Sequence, residues 1–159
     1  MSENTVKEPQ ALNNLVEFST AFRFDCHMTP QLPPAKVGQL RVNLIREELN
    51  ELEVAFKSGN LKECLDALAD IQYVLSGSVV AFGFTDRFAD AFAEVHRSNM
   101  SKACKTEEEV KATVAHYEAK GTPCFYEKEG DLYLVFREGD HKTLKSVGYS
   151  PADLKGILK

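Results

Sequence analysis

Up to about residue 120, apolar side chains recur every three or four positions; beyond it they alternate. The first rhythm is that of helices and the second that of strands. In "QALNNLVEFSTAFRF", residues 10–24, Leu12, Leu15, Val16, Ser19 and Phe22 share one helical face. The three prolines of "CHMTPQLPPA" then stop the pattern, because none can sit inside a helix. A second helix is predicted over Ala35–Lys57, with Leu40, Leu44 and Ala55 inward, ending at "SGN" through Gly59. A third runs from Asn60 to about Phe82, opened by a capping box of Asn60 with Glu63 and stopped by Gly83. A fourth follows Thr85 or Asp86, with Phe88, Ala91, Phe92, Val95 and Asn99 on one side. A fifth starts at Thr106, boxed by Glu109, and carries Val110, Val114 and Tyr117 as far as Gly121.

"CFYEKEGDLYLVF" places aromatic and β-branched residues on either side of Gly-Asp and reads as a β-hairpin. "SPADLKGIL" reads as a short terminal helix, with Ser150 as cap and Pro151 in the first position. The expected fold is all-α: an antiparallel bundle of four to five helices over about 10–120, then a small C-terminal β-hairpin appendage with the short helix over about 121–159. The two long central helices, joined by a short turn, should lie antiparallel.

At 159 residues the chain is expected to form one domain and to bury roughly two-thirds of its unfolded surface. No apolar run approaches the ~20 residues of a bilayer span, and "MSENTVKEPQ" lacks the order of a secretory leader. A cytoplasmic protein with no membrane partner is the expectation. A net charge of −5 argues against nucleic acid as a partner. Cys26, Cys64, Cys104 and Cys124 are widely spaced without a CxxC pair, which reads as reduced thiols.

Acids change the picture most. In "LIREELNEL", residues 44–52, Glu48 lies four after Leu44 and Glu51 three after Glu48, so carboxylates continue a line of leucines. In "ECLDALADIQYVL", Asp66 and Asp70 share a face, with Glu63 one turn earlier. Glu51 stands nine residues before Asn60 and Asp70 ten after it, so folding at "SGN" sets the two groups at comparable heights. Converging carboxylates repel and are costly to desolvate unless a cation joins them. All-oxygen ligation suits Mg²⁺, Mn²⁺ or Ca²⁺. A di-iron site would call for Glu-x-x-His pairs, yet His27, His96, His116 and His141 all fall outside these helices. Ordinary readings stand beside the functional one. Glu47 fits a solvated face, paired with Arg46 or Lys57; Glu63 fits the reciprocal cap of Asn60; Cys64 fits a small inert thiol.

"EELNE" followed by "ECLDALADIQYVLSG" resembles the EExxE…ExxD signature of the all-α nucleoside triphosphate pyrophosphohydrolases. That group includes the MazG-like enzymes, phosphoribosyl-ATP pyrophosphohydrolase and the dimeric dUTPases. The similarity continues through "FAEVHRSNMSK" to "GDHKTLKSVGYSPADLKGIL", covers most of residues 12–158, and looks most like the phosphoribosyl-ATP pyrophosphohydrolase-like branch. It implies Mg²⁺-dependent cleavage of a nucleoside triphosphate to monophosphate and pyrophosphate, with Mn²⁺ as a substitute. Glu47, Glu48 and Glu51 match EExxE. Glu63 and Asp66 fit ExxD literally, whereas the apolar residues after Asp70 align better and leave Ala67 as a departure three residues before it. The resemblance thus implies metal ligation by Glu48, Glu51, Asp66 and Asp70, with Glu63 in reserve, and water activation by Glu47 or Glu48. It also implies substrate binding by Asn99 and Lys102, whose plain alternatives are a helix cap and a solvated lysine. A homodimer or homotetramer is implied, with Phe88, Phe92 and the β segment as interface or core; Lys142 and Lys145 would then reach a neighbour's phosphate site. Two other readings compete: a non-catalytic, metal-stabilised helical module, and a hydrolase of a non-nucleotide pyrophosphate.

Overall fold

The two longest helices part at three residues, Ser58 to Asn60. In the computed structural model, which describes residues 6–24 and 26–159, α2 (Ala35–Lys57) ends there and α3 (Leu61–Ala81) begins. Gly59 has φ +67°, the left-handed conformation that reverses the chain without a Cβ penalty. Asn60 then accepts from the Glu63 backbone N–H at 3.3 Å and caps α3. The expected box closes only on this side, because the Asn60 N–H donates to the Ala55 carbonyl instead. Of the opening segment read for a leader, residues 1–5 lie outside the described residues.

The described residues form six helices and one two-stranded hairpin, in two compact units divided after Phe88. The first unit holds α1 (Ala11–Ala21), α2 and α3, with α3 packed against both others. Leu15 and Ser19 of α1, Ala55 of α2, and Ala67, Val79 and Val80 of α3 are buried. Leu40, expected inward, is 52% exposed. The α2 line that meets α3 runs through Arg41 and Glu48, and Leu40 stands beside that line, at its edge. After α3 the chain needs glycine: Gly83 has φ +71°, and a Cβ there would lie 2.0 Å from the Thr29 carbonyl oxygen. That close approach, with Gln31 N–H donating to the Phe82 carbonyl at 3.0 Å, pins the proline-rich segment across the end of α3.

By length and composition α3 is apolar enough to cross a bilayer, which corrects the expectation that no apolar run approaches that length. Its apolar residues are interrupted by Lys62, Glu63, Asp66 and Asp70, and it packs on α1 and α2 while Leu61, Leu65 and Leu68 stay exposed.

The second unit holds α4 (Phe88–Met100) from Ala89 onward, α5 (Glu107–Glu118), the hairpin and α6 (Leu154–Ile157). Strands β1 (Cys124–Glu129) and β2 (Leu132–Arg137) pair antiparallel from Cys124↔Arg137 to Glu129↔Leu132, turning at Gly130-Asp131 as expected. The unit has its own core of Cys104, Val110, Tyr133, Val135 and Leu144, against which Val114, Tyr117 and Cys124 of α5 and β1 pack. The packing of α5 on the hairpin places the unit boundary well before the change in sequence rhythm near residue 120. The terminal helix differs from expectation. Asp153, not Ser150, caps it by accepting from Gly156 N–H at 3.2 Å, and Pro151 lies before the helix. Ser150 is used elsewhere: its N–H donates to Ser101 Oγ at 3.0 Å and ties the segment to the end of α4.

Candidate functional site

Two pairs fix the register of α2 against α3. Arg41 packs on Gly77, where a Cβ would lie 2.8 Å from Arg41 Nη1, and Glu48 feels the charge of Asp70. Seven residues forward on α2 thus match seven residues back on α3, as in an antiparallel pair. Helical spacing does the rest. Glu51 follows Glu48 by three residues and Asp66 precedes Asp70 by four, so all four carboxylates lie on the facing sides.

Glu48 is the focus of this group. It is half-buried, and its Oε2 is buried with no hydrogen-bond partner. Its carboxyl is held above the usual range, first by burial and then by the charges of Glu51, Asp70, Glu47 and Asp66. Contributions from both helices show that the hairpin brings these five acids together. Glu47, Glu51, Asp66 and Asp70 are exposed. Among the described residues no three such side chains are gathered tightly enough to hold an ion. The two findings concern different ranges: charges repel over several ångströms, whereas a shared ion draws oxygens to about 2–2.6 Å. The donor set nonetheless suits a hard cation, being entirely carboxylate and including one buried oxygen with nothing to accept from.

The remaining acid stands apart. Glu63 is exposed, pairs with Lys62 at 2.9 Å, and is absent from the charges acting on Glu48. The solvated partners considered for Glu47 are engaged elsewhere: Arg46 donates to Asn43 at 2.9 Å and Lys57 pairs with Glu53. All four cysteines are free; Cys26, Cys64 and Cys124 are half-buried and Cys104 is buried.

Asn99 and Lys102 lie in the second unit and hold each other. Lys102 Nζ donates to Asn99 Oδ1 at 2.7 Å, and the Asn99 amide donates back to the Val95 carbonyl at 3.0 Å. Asn99 is exposed and Lys102 half-buried, so the pair presents an ammonium oriented by an amide. Lys145 lies over the Tyr149 ring, 4.1 Å from its centroid.

The phosphoribosyl-ATP pyrophosphohydrolase family matches residues 15–99, more than half of the chain and all the acids of the α2–α3 group. The chain belongs to that family. The match also takes in Asn99 at its edge and stops short of Lys102. An uncharacterized protein of Acanthamoeba polyphaga mimivirus is 24% identical, over 76% of this chain and 83% of the viral one. Membership implies a pyrophosphohydrolase type of activity for the chain.

Another buried polar group on α2 has no counterpart in the expectations from sequence. Arg41 stands one helical repeat before Glu48 on the same side of α2, and its Nε is buried without a hydrogen-bond partner. The available signal was a cation placed seven residues before Glu48, opposite a glycine.

Proposed function

We propose that the protein is a Mg²⁺-dependent nucleoside triphosphate pyrophosphohydrolase, releasing a nucleoside monophosphate and pyrophosphate, with Mn²⁺ able to replace Mg²⁺. The observation that carries this is Glu48. A soluble fold holds it half-buried, with one oxygen unpartnered, among four other acids. Such a group is costly unless a cation and an anionic substrate complete it.

In this reading Glu48, Glu51, Asp66 and Asp70 hold the metal, and turning their side chains on a fixed helix pair brings the oxygens together. Bound there, Mg²⁺ supplies charge neutralisation at the phosphoanhydride. Glu47 or Glu48 orients the attacking water and accepts its proton. Asn99 offers a donor and an acceptor to base or sugar, and Lys102 a charge to phosphate. Glu63 serves as reserve, its backbone N–H already committed to the cap of α3.

Homo-oligomerisation belongs to the same proposal. Val42, Leu49 and Phe56 recur every seven residues on α2, and Leu61, Leu65, Leu68 and Leu75 line one side of α3, all exposed. Apolar stripes of this kind mark a protein interface, here a homodimer or homotetramer. Four free thiols fit a reducing compartment, supporting work on nucleotides in the cytoplasm.

A panel of NTPs and dNTPs with Mg²⁺, assayed for pyrophosphate, tests the proposal. Release from at least one substrate is expected, and silence across the panel by folded protein would refute it.

A further inference from the structure

Between α1, α2, α3 and the segment after α1 lies a cavity of about 330 Å³, walled by Phe18, Phe24, Leu44, Tyr73 and His27. Its polar feature of interest is Arg41. No ion pair among the described residues includes this arginine, and its buried Nε donates to nothing. Burial pushes the guanidinium below its ordinary value, yet an arginine remains charged at neutral pH. Its Nη1 rests against the backbone at Gly77, a fit that any larger residue would disturb. An apolar, aromatic-walled space with a few polar groups, here Arg41 with Ser19 and His27, is how small-molecule sites are built, and this volume lies at the small end of their range.

The position of the cavity narrows its occupant. Arg41 and Glu48 lie seven residues apart on α2, about 10 Å along the axis. A ribose with its 5′-phosphate bridges that distance, leaving a base at the arginine and the phosphates at the acids. A flat ring also suits walls of phenylalanine and tyrosine. We propose that this cavity receives the nucleobase and that Arg41 is its specificity-determining residue, donating to a carbonyl oxygen on the base edge. Guanidinium nitrogens are donors only, so the site favours bases with an oxo group there and disfavours an amino group, which would leave two donors facing each other. The nucleotide context rests on the pyrophosphohydrolase reading, but the recognition of a base by this cavity can be tested without turnover.

Uridine, cytidine, inosine and adenosine are titrated onto the full chain in EDTA, by calorimetry and protein-observed NMR. The inosine–adenosine pair isolates an oxo-for-amino exchange. At least one oxo-bearing nucleoside should bind saturably, and inosine more tightly than adenosine. Arg41→Met should weaken the best ligand about tenfold or more, as expected for loss of one charged hydrogen bond. Gly77→Ala, which keeps the cavity lining but displaces the guanidinium tip, should weaken it too; thermal melts confirm that both variants fold. Binding of no nucleoside, equal binding of inosine and adenosine, or wild-type binding by both variants would overturn the assignment. Nucleoside binding without hydrolysis of any triphosphate would support the cavity while removing the pyrophosphohydrolase reading.

Discussion

Asp70 on α3 lies within range of Glu48 on α2, and its charge helps to hold the Glu48 carboxyl above its ordinary 4.5. Burial is the larger cause and Glu51 the next. A raised carboxyl pKa means that the folded chain binds this proton more tightly than the unfolded one. Stability is therefore lost as pH climbs above 4.5, and the loss is absent below it. Glu48→Gln removes the charge, so without metal it should melt higher than wild type at pH 7. The difference should shrink as pH falls toward 4.5. Added Mg²⁺ with nucleotide should stabilise the wild type more than the variant, and turnover by the variant should fall to background. Scanning calorimetry across pH, with a pyrophosphate assay, checks all three.

Glu63 and Asn60 separate capping from metal binding. The Asn60 side chain accepts from Glu63 N–H, while the Glu63 carboxylate lies beside Lys62. Asn60→Ala should cost about 1 kcal/mol of stability through the lost cap. Glu63→Gln should leave both stability and turnover close to wild type, since the cap uses its backbone and not its carboxylate. Denaturant melts and kcat/KM for the two variants decide it; loss of turnover in Glu63→Gln would return this residue to the metal site.

The elements were legible in the sequence because each boundary has a local cause. Gly59, Gly83 and Gly121 all have positive φ, and Asn60 and Thr106 cap their helices as their spacing suggests. The acids were legible for the same reason: residues three or four apart share a face whatever the helix packs against. What the sequence hid depends on non-local partners. Ser150 has the composition of a cap, but Ser101 claims its N–H and Asp153 takes over the role. Glu109 was read as reciprocating the Thr106 cap, but its carboxylate accepts from Lys105 N–H at 2.8 Å and from the Ser146 hydroxyl. Arg41 reads as one more charge on a charged helix until Gly77 is set opposite it.

Glu94 ties the C-terminal segment to α4. It accepts from Arg97 Nε at 2.7 Å and from the Asp153 backbone N–H at 2.9 Å, and Arg97 also donates to the Pro151 carbonyl at 3.1 Å. The Arg97 hydrogen bond, then that of Asp153, hold the Glu94 carboxyl down at about 2. A depressed carboxyl pKa stabilises the fold above 4.5 and loses that contribution as pH falls toward 2. Glu94→Gln should make the amides of residues 150–157 exchange several-fold faster at pH 7. Approaching pH 2 the wild type should converge on the variant. Hydrogen exchange by mass spectrometry reads both, and equal protection of the two proteins at pH 7 would count against the tie.

Phe56 and Leu65 test the exposed stripes. They are 76% and 70% exposed, so neither supports the fold of its own chain. Exposed positions without special contacts usually change stability by no more than about 0.5 kcal/mol when substituted. Phe56→Ser with Leu65→Ser should therefore melt near wild type when compared as monomers, while apolar area is lost from any interface built on these helices. Light scattering behind size exclusion should give a dimer or tetramer for the wild type and a smaller species for the double variant at micromolar concentration. A concentration series should bring the two together again on the dilute side. Activity tells whether the assembly matters to the acid cluster, which shares both helices with the stripes. If turnover falls with the assembled fraction, neighbouring copies hold the helix pair in its working geometry. An unchanged mass for the double variant would place the interface elsewhere, and a monomeric wild type would rule out oligomerisation.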